Sequence, residues 1–393
     1  MMRAVFKNAA FYSAGLIAGK FFSVAVFVLL AREMGTTDFG KFAFLLTLIQ
    51  VVSYFADFGL GQSYMVKKNE EEPRAFSDMV VARGATLVIS FFIAYLLAYA
   101  ARFSPNATVA FLLTIIPEGF LTITEYYYLR AQNTIRIMLR LICRVSVILF
   151  VLLLTNENLS FEQLAWYNLA GTTLTAFFFV PWGKFGRLTK RSLYVTIHTL
   201  KEAASYATLS VVSYAYSRGD SLLIGYLLNS NSLGLYSVAY RYLESVSILP
   251  ASINKVLFPH VAVNAKLPWH KVRLLLIIMC AMGLLFGVSI FLLSEFLIVI
   301  LVGHEYRSVV PILQIFSGIV VLFFLNQPLA ALVQSTPSVK KFLPWGIANT
   351  VLNIGLNIVL LPRYGITAAA WIMLLTEFTG LVINWIFVKK IYG

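Results

Sequence analysis

The chain has 393 residues, 60% of them hydrophobic and 12% charged, with a formal charge of +14 and a mean hydropathy of +0.82. Soluble domains run at about half apolar and about a quarter charged residues, so no water-soluble fold hides this much apolar surface and lipid is the solvent for most of it. Lysine and arginine fall mainly between apolar runs, which membrane orientation explains without nucleic acid; two cysteines, Cys143 and Cys280, are too few for a disulfide framework or a zinc site.

In hydrocarbon every backbone N–H and C=O must be satisfied within the chain, which leaves helices or closed barrels. The apolar runs are about 20 residues long, the length of a spanning helix and about twice that of a barrel strand. Met1–Asn8 is short and basic, and the run Phe11–Ala31 lacks a cleavage end, so it reads as a retained first span. Spans are expected at 10–31, 40–62, 78–101, 107–129, 139–155 and 161–182. A second set follows at 204–228, 233–257, 273–294, 309–333, 343–361 and 366–388. The fold class is therefore all-α integral membrane protein, with about twelve transmembrane helices.

Twelve spans put both termini on one side. Of the 31 lysines and arginines, 22 then fall in loops on that side, five fall opposite (Arg32, Lys41, Arg102, Arg307 and Arg363), and the rest lie within spans. Cationic loops stay in the cytoplasm, so both termini are expected there, in a cell or inner membrane. The connection Gly183–Lys201 carries Lys184, Arg187, Lys190 and Arg191. It lies on anionic headgroups or hinges two lobes, and it separates 1–182 and 204–393, with 183–203 as a basic cytoplasmic linker. An internal repeat supports two pseudo-symmetric six-helix lobes. Leu29–Phe44 (LLAREMGTTDFGKFAF) aligns with Leu223–Val238 (LIGYLLNSNSLGLYSV) at an offset of 194 residues, which pairs Gly40 with Gly234. Six intervening spans make this a parallel repeat with its axis along the membrane normal. Pro362–Ala369 forms a turn of similar build.

No soluble-enzyme motif stands. GlyLeuIleAlaGlyLys at 15–20 is one residue short of a phosphate loop and lies in a span. His198, His260, His270 and His304 form no metal pair. Ionisable groups within spans carry the information, because each costs about 2.5–3.5 kcal/mol at the bilayer centre on insertion scales and so faces a cavity or a partner. The cations are Lys20, Arg83, Arg218 and Arg241; the acids are Asp57, Glu118, Glu125, Asp220, Glu244 and Glu377. Arg241 and Glu244, three apart, can neutralise each other. Arg83 and Asp57 lie near span ends, where snorkelling or capping would serve them. Lys20 has no acid within a helical turn, and Asp220 points away from Arg218 on a helix. These two cations sit in corresponding spans, where they would clamp a diphosphate or pair with Asp57 or Glu118 from another helix. Glu118 and Glu125 share a face, with Pro117 expected to kink the span. These acids bind Na⁺, carry a proton, or pair with Arg83 or Arg130. Asn349, Asn353 and Asn357 form a stripe that either glues helices together or contacts sugar.

AsnAlaAlaPheTyrSerAlaGly near the start, LeuAlaArgGluMetGlyThrThrAspPheGlyLysPhe and PheAlaAspPheGlyLeuGlyGln together resemble the opening of polysaccharide-biosynthesis flippases. SerArgGlyAspSerLeuLeuIleGlyTyr, LeuGlyLeuTyrSerValAlaTyrArg and AsnIleGlyLeuAsnIleValLeuLeuProArgTyrGlyIleThrAlaAlaAla resemble later spans of the same family. The likeness implies two six-helix bundles in a V, as in multidrug extrusion antiporters and lipid II flippases. It implies alternating access for an undecaprenyl-diphosphate-linked oligosaccharide, an O-antigen, capsule or exopolysaccharide unit, moved from the cytoplasmic to the outer leaflet. By that likeness Lys20, Arg83, Arg218 and Arg241 are the cavity cations for the diphosphate, and Na⁺ or H⁺ coupling falls to Asp57, Glu118, Glu125 or Asp220. No other cofactor is implied; a polysaccharide polymerase and chain-length machinery would be partners. The rival readings are a multidrug or cation antiporter of the same fold and a membrane glycosyltransferase or ligase. The outer loops are short and hold no catalytic acid pair.

Overall fold

The computed structural model describes residues 2–66, 72–100, 105–131, 133, 135–140, 142–143, 146, 160–181, 193–263, 268–334, 336 and 339–392. These are helical almost throughout, with no strand among them. The helices are α1 (Met2–Asp57), α2 (Leu60–Val66), α3 (Glu72–Ala100), α4 (Pro105–Leu113), α5 (Ile115–Arg130), α6 (Phe161–Phe179), α7 (Leu193–Leu227), α8 (Ser230–Val263), α9 (Trp269–Glu295), α10 (Val310–Gln334), α11 (Val339–Tyr364) and α12 (Ile366–Tyr392). A π-helical turn, Phe296–Ile300, and a 3₁₀ turn, His304–Val309, connect α9 to α10.

Seven stretches among the described residues are long and apolar enough to cross a membrane: Phe22–Asp57, Ala75–Tyr99, Asn106–Arg130, Trp269–Ile300, His304–Gln334, Lys341–Tyr364 and Ile366–Tyr392. Helices also occupy the sixth, seventh and eighth expected spans, as α6, α7 and α8. The fifth, at 139–155, lies mostly outside the described residues. The apolar flanks are bare: on α9, Leu285 is 66% and Leu292 72% exposed. Soluble monomers do not leave such runs uncovered; here lipid covers them.

The breaks follow local chemistry. Gly35 (φ 70°, ψ 167°) divides α1 between the first two expected spans, a conformation glycine reaches without a Cβ penalty. Gly365 (φ 65°) does the same between α11 and α12, in the turn expected at 362–369. The equivalent of Gly35 at the repeat offset is Asn229, whose side chain accepts from the Ser232 N–H at 2.8 Å and caps α8. The kink expected from Pro117 falls at Thr114. Proline cannot donate to the carbonyl one turn back, so α4 ends at Leu113 and α5 restarts with Pro117 in its first turn. Ser160 and Gln163 close a capping box that starts α6.

By packing, the chain forms two compact units, Met1–Val26 with Lys41–Arg218, and Phe27–Gly40 with Gly219–Gly393. The change of unit at 218–219 comes later than the 183–203 connection, and segment 27–40 is grouped with the C-terminal helices. In the first unit α3 packs on α4 and α5, and α6 packs on both of these. In the second, α10 is central and touches α8, α9 and α12. Gly283 and Gly287 of α9 let the α10 backbone approach at Val321 and Ser317.

Segment 27–40 is held firmly within the second unit. Phe39 meets Tyr306 edge-on, and the Tyr306 hydroxyl donates to the Ala31 carbonyl at 2.9 Å. A Cβ on Gly40 would overlap the Ser230 carbonyl, and one on Gly234 would overlap the Thr36 carbonyl. Thr36 and Ser230 are themselves related by the repeat offset. The two glycines therefore make reciprocal contacts, the local signature of a two-fold relation.

Candidate functional site

In the first unit, Gln50, Ser53, Tyr54 and Asp57 recur at helical spacing on the last turns of α1, and Glu118, Leu121, Thr122 and Glu125 do so on α5. The two polar faces, with Tyr126 and Arg140, line a cavity of about 280 Å³. Gly61 of α2 has no Cβ where the Tyr126 ring lies, which lets that ring reach the wall. Tyr54 stacks on Tyr214 of α7.

Two arginines hold the acids in place. Arg83 of α3 is 0% exposed; it donates to Asp57 Oδ1 at 3.3 Å and to the Ser53 carbonyl at 3.2 Å. Thr86, one turn on, bonds the Ala56 carbonyl at 2.7 Å and fixes α3 against α1. Arg140, 8% exposed, donates to the Leu121 carbonyl and pairs with Glu125. A buried ion pair offsets its desolvation only when further hydrogen bonds satisfy both ions, and each guanidinium here has a backbone carbonyl as a second acceptor. With Glu118, the cavity and its supports hold three carboxylates against two guanidinium groups. No group of three His, Cys, Asp or Glu among the described residues is placed to hold a metal ion.

The second unit holds a different constellation. Arg241 pairs with Glu244 at 2.9 Å and lies 4.7 Å over the Phe27 ring. Asp220 accepts from Tyr236 and from its neighbour Ser221. Asn349 donates to the Thr376 carbonyl at 3.0 Å and accepts from Thr379 at 2.6 Å. Asn353 donates to the Thr376 hydroxyl at 3.0 Å, and Asn357 folds back on Asn353. Asn326 of α10 donates to Glu377 at 2.8 Å, and Asn384 donates to Asn326 at 3.1 Å.

These placements revise several expectations. Arg83 does not snorkel: it is fully buried, bonded to Asp57 and the Ser53 carbonyl, and acts there as a counter-ion. Asp57 is its partner and also accepts the Gly61 backbone N–H at the start of α2. Glu125 pairs with Arg140. Arg140, at the edge of the expected span 139–155, lines the cavity. Arg241 takes the Glu244 pairing and adds an aromatic face. Asn349 and Asn353 bond α11 to α12, while Asn357 bonds back to Asn353 within α11. Arg218 is half-buried in the first unit, within electrostatic reach of Tyr54. Lys20 lies on α1; its side chain is outside the described residues. Gln50, Tyr54, Tyr126 and Arg140 were not singled out from sequence; the spacing of Gln50 and Tyr54 with Asp57 was the available signal.

The model of a family described as polysaccharide biosynthesis protein matches residues 5–265. The probable low-salt glycan biosynthesis flippase Agl15 of Haloferax volcanii is 23% identical over 364 residues, covering 86% of this chain and 74% of that protein. Among solved structures, the lipid II flippase MurJ in an inward closed conformation matches with TM-score 0.81 at 14% identity, over 96% of this chain and 87% of that one. An inward-facing multidrug resistance transporter of the MATE family matches with TM-score 0.69 at 12% identity, over 95% of each chain. The fold is that of these transporters. Charged walls inside apolar helices, the matched motif-bearing residues and the transporter relatives agree: the chain is a multi-pass membrane transporter rather than an enzyme, and it belongs to the polysaccharide biosynthesis protein family.

Proposed function

We propose that the chain is a flippase for a lipid-linked oligosaccharide, carrying an O-antigen-, capsule- or exopolysaccharide-type repeat unit on undecaprenyl diphosphate from the cytoplasmic to the outer leaflet by alternating access. The observation that carries this is a charge-lined polar cavity maintained inside helices whose outer faces are apolar. Filling that space with well-packed apolar side chains would be at least as stable, so the cavity is retained for what enters it. The relationship to a probable glycan biosynthesis flippase supplies the substrate class. Lys20 and Arg218 are the cations that meet the diphosphate on this reading. Both termini are cytoplasmic on this reading, in the inner membrane, with the polymerase acting on the delivered unit.

Transport against a gradient requires coupling. Asp57, Glu118 and Glu125 are the carboxylates at the first-unit cavity that take up the coupling ion on this reading. That ion is H⁺ or Na⁺. A cation antiporter of the same fold is the second reading, favoured by those same acids. Transport of lipid-linked glycan in inverted vesicles separates them: glycan reaching the lumen under an imposed proton gradient supports the flippase. Cation or drug uptake with no glycan movement supports the antiporter.

A further inference from the structure

The first-unit cavity is too large and too mixed in character for an ion alone. A single water needs about 10–15 Å³, whereas this space is about 280 Å³, near the lower end of the roughly 300–1,000 Å³ of pockets that hold small organic ligands. Its walls combine carboxylates, the Gln50 amide, the Thr122 and Ser53 hydroxyls, and the rings of Tyr54 and Tyr126. Tyr54 is 39% exposed, so the space opens on one side.

The hydrogen-bond inventory narrows the ligand. A carboxylate only accepts, an amide both donates and accepts, and a hydroxyl does both. Ser53 is 8% exposed, lines the cavity, and its Oγ has no hydrogen-bond partner. A buried hydroxyl without a partner costs about 1–3 kcal/mol, a cost that an incoming polar ligand removes. The ligand must therefore bring several donors, some acceptors, and apolar C–H edges for tyrosine rings. A ligand made only of acceptors offers nothing to the carboxylate oxygens along the wall. A polyol ring fits.

We infer that this cavity is a subsite for one pyranose of the lipid-linked glycan, neutral or amino-substituted, separate from the cations that meet the diphosphate. The inference rests on the flippase reading. Gln50 and Ser53 bond ring hydroxyls, Tyr54 and Tyr126 flank the ring, and Arg140 holds Glu125 in position to accept. The carboxylates suit the donors of sugar hydroxyls better than an acceptor-only diphosphate, which orients the substrate.

The test uses the purified full-length protein in nanodiscs and two probes: the lipid-linked glycan extracted from its own cells, and sugar-free undecaprenyl diphosphate. The quantity read is the ratio of the two affinities. The glycan-bearing lipid binds more tightly to the unaltered protein, and Gln50→Leu and Ser53→Ala each lower the ratio by about threefold to tenfold, the worth of one hydrogen bond. Gly346→Ala, at a position with open space around it, keeps the ratio and serves as the folding control. Equal affinities in the unaltered protein, or an unchanged ratio in both cavity variants, overturn the subsite and leave the flippase reading standing. Binding of neither lipid overturns the flippase reading itself.

Discussion

Arg83 and Asp57 show how the low-dielectric interior decides the fate of a charge. Removing one partner strands the other, which typically costs about 3–5 kcal/mol, whereas replacing both with apolar residues is often neutral. Arg83→Met alone and Asp57→Leu alone are therefore expected to lower unfolding stability in detergent by about 3–5 kcal/mol, and the double variant by much less. Additive losses would show that the two do not act as a pair. Glu118→Gln removes one carboxylate charge from the cavity without changing shape, and proton-driven glycan transport in vesicles is expected to lose its dependence on the gradient. Sequence alone exposed these residues, because a charge inside an apolar run is visible at once. It did not expose the pairings. Arg83 lies 26 residues from Asp57 and Arg140 lies 15 from Glu125, on different helices, and no periodicity within one helix reports on a neighbour. Arg140 was lost for a further reason: it sits at the edge of an apolar run, where the same letter serves a loop anchor or a buried counter-ion.

Among the elements, the reciprocal glycine contact was half legible. The 194-residue offset paired Gly40 with Gly234 by position, and their close approach needed coordinates. Each is expected to reject a methyl group. Gly40→Ala and Gly234→Ala should each destabilise by about 1–3 kcal/mol, the usual cost of overpacking, because the new Cβ meets a backbone carbonyl rather than a flexible side chain. Thermal unfolding checks this against Gly346→Ala, which should be neutral or slightly stabilising by the loss of backbone freedom in the unfolded chain. Equal effects at all three positions would mean that the contact is not tight. Pro117 was legible as an interruption but not as to its place, since proline acts on the carbonyl one turn earlier and the break falls at Thr114. The asparagine stripe was legible as a face, and its partner helix was not, because Thr376 and Thr379 carry no mark in a run that is otherwise apolar.

For the whole molecule, composition and charge alternation were enough to require a multi-helix membrane protein, and the order of motifs was enough to suggest its family. The compact units change at 218–219, within α7 rather than at the basic linker. Lys20→Ala and Arg218→Ala are each expected to abolish glycan export while leaving membrane insertion intact, and normal export in both would remove the diphosphate clamp. The most direct measurement is the sidedness of lipid-linked oligosaccharide after depletion of this protein from its own cells. The account predicts accumulation on the cytoplasmic leaflet, with assembly of the unit intact and polymer lost. Accumulation on the outer leaflet, or export that continues unchanged, would contradict it.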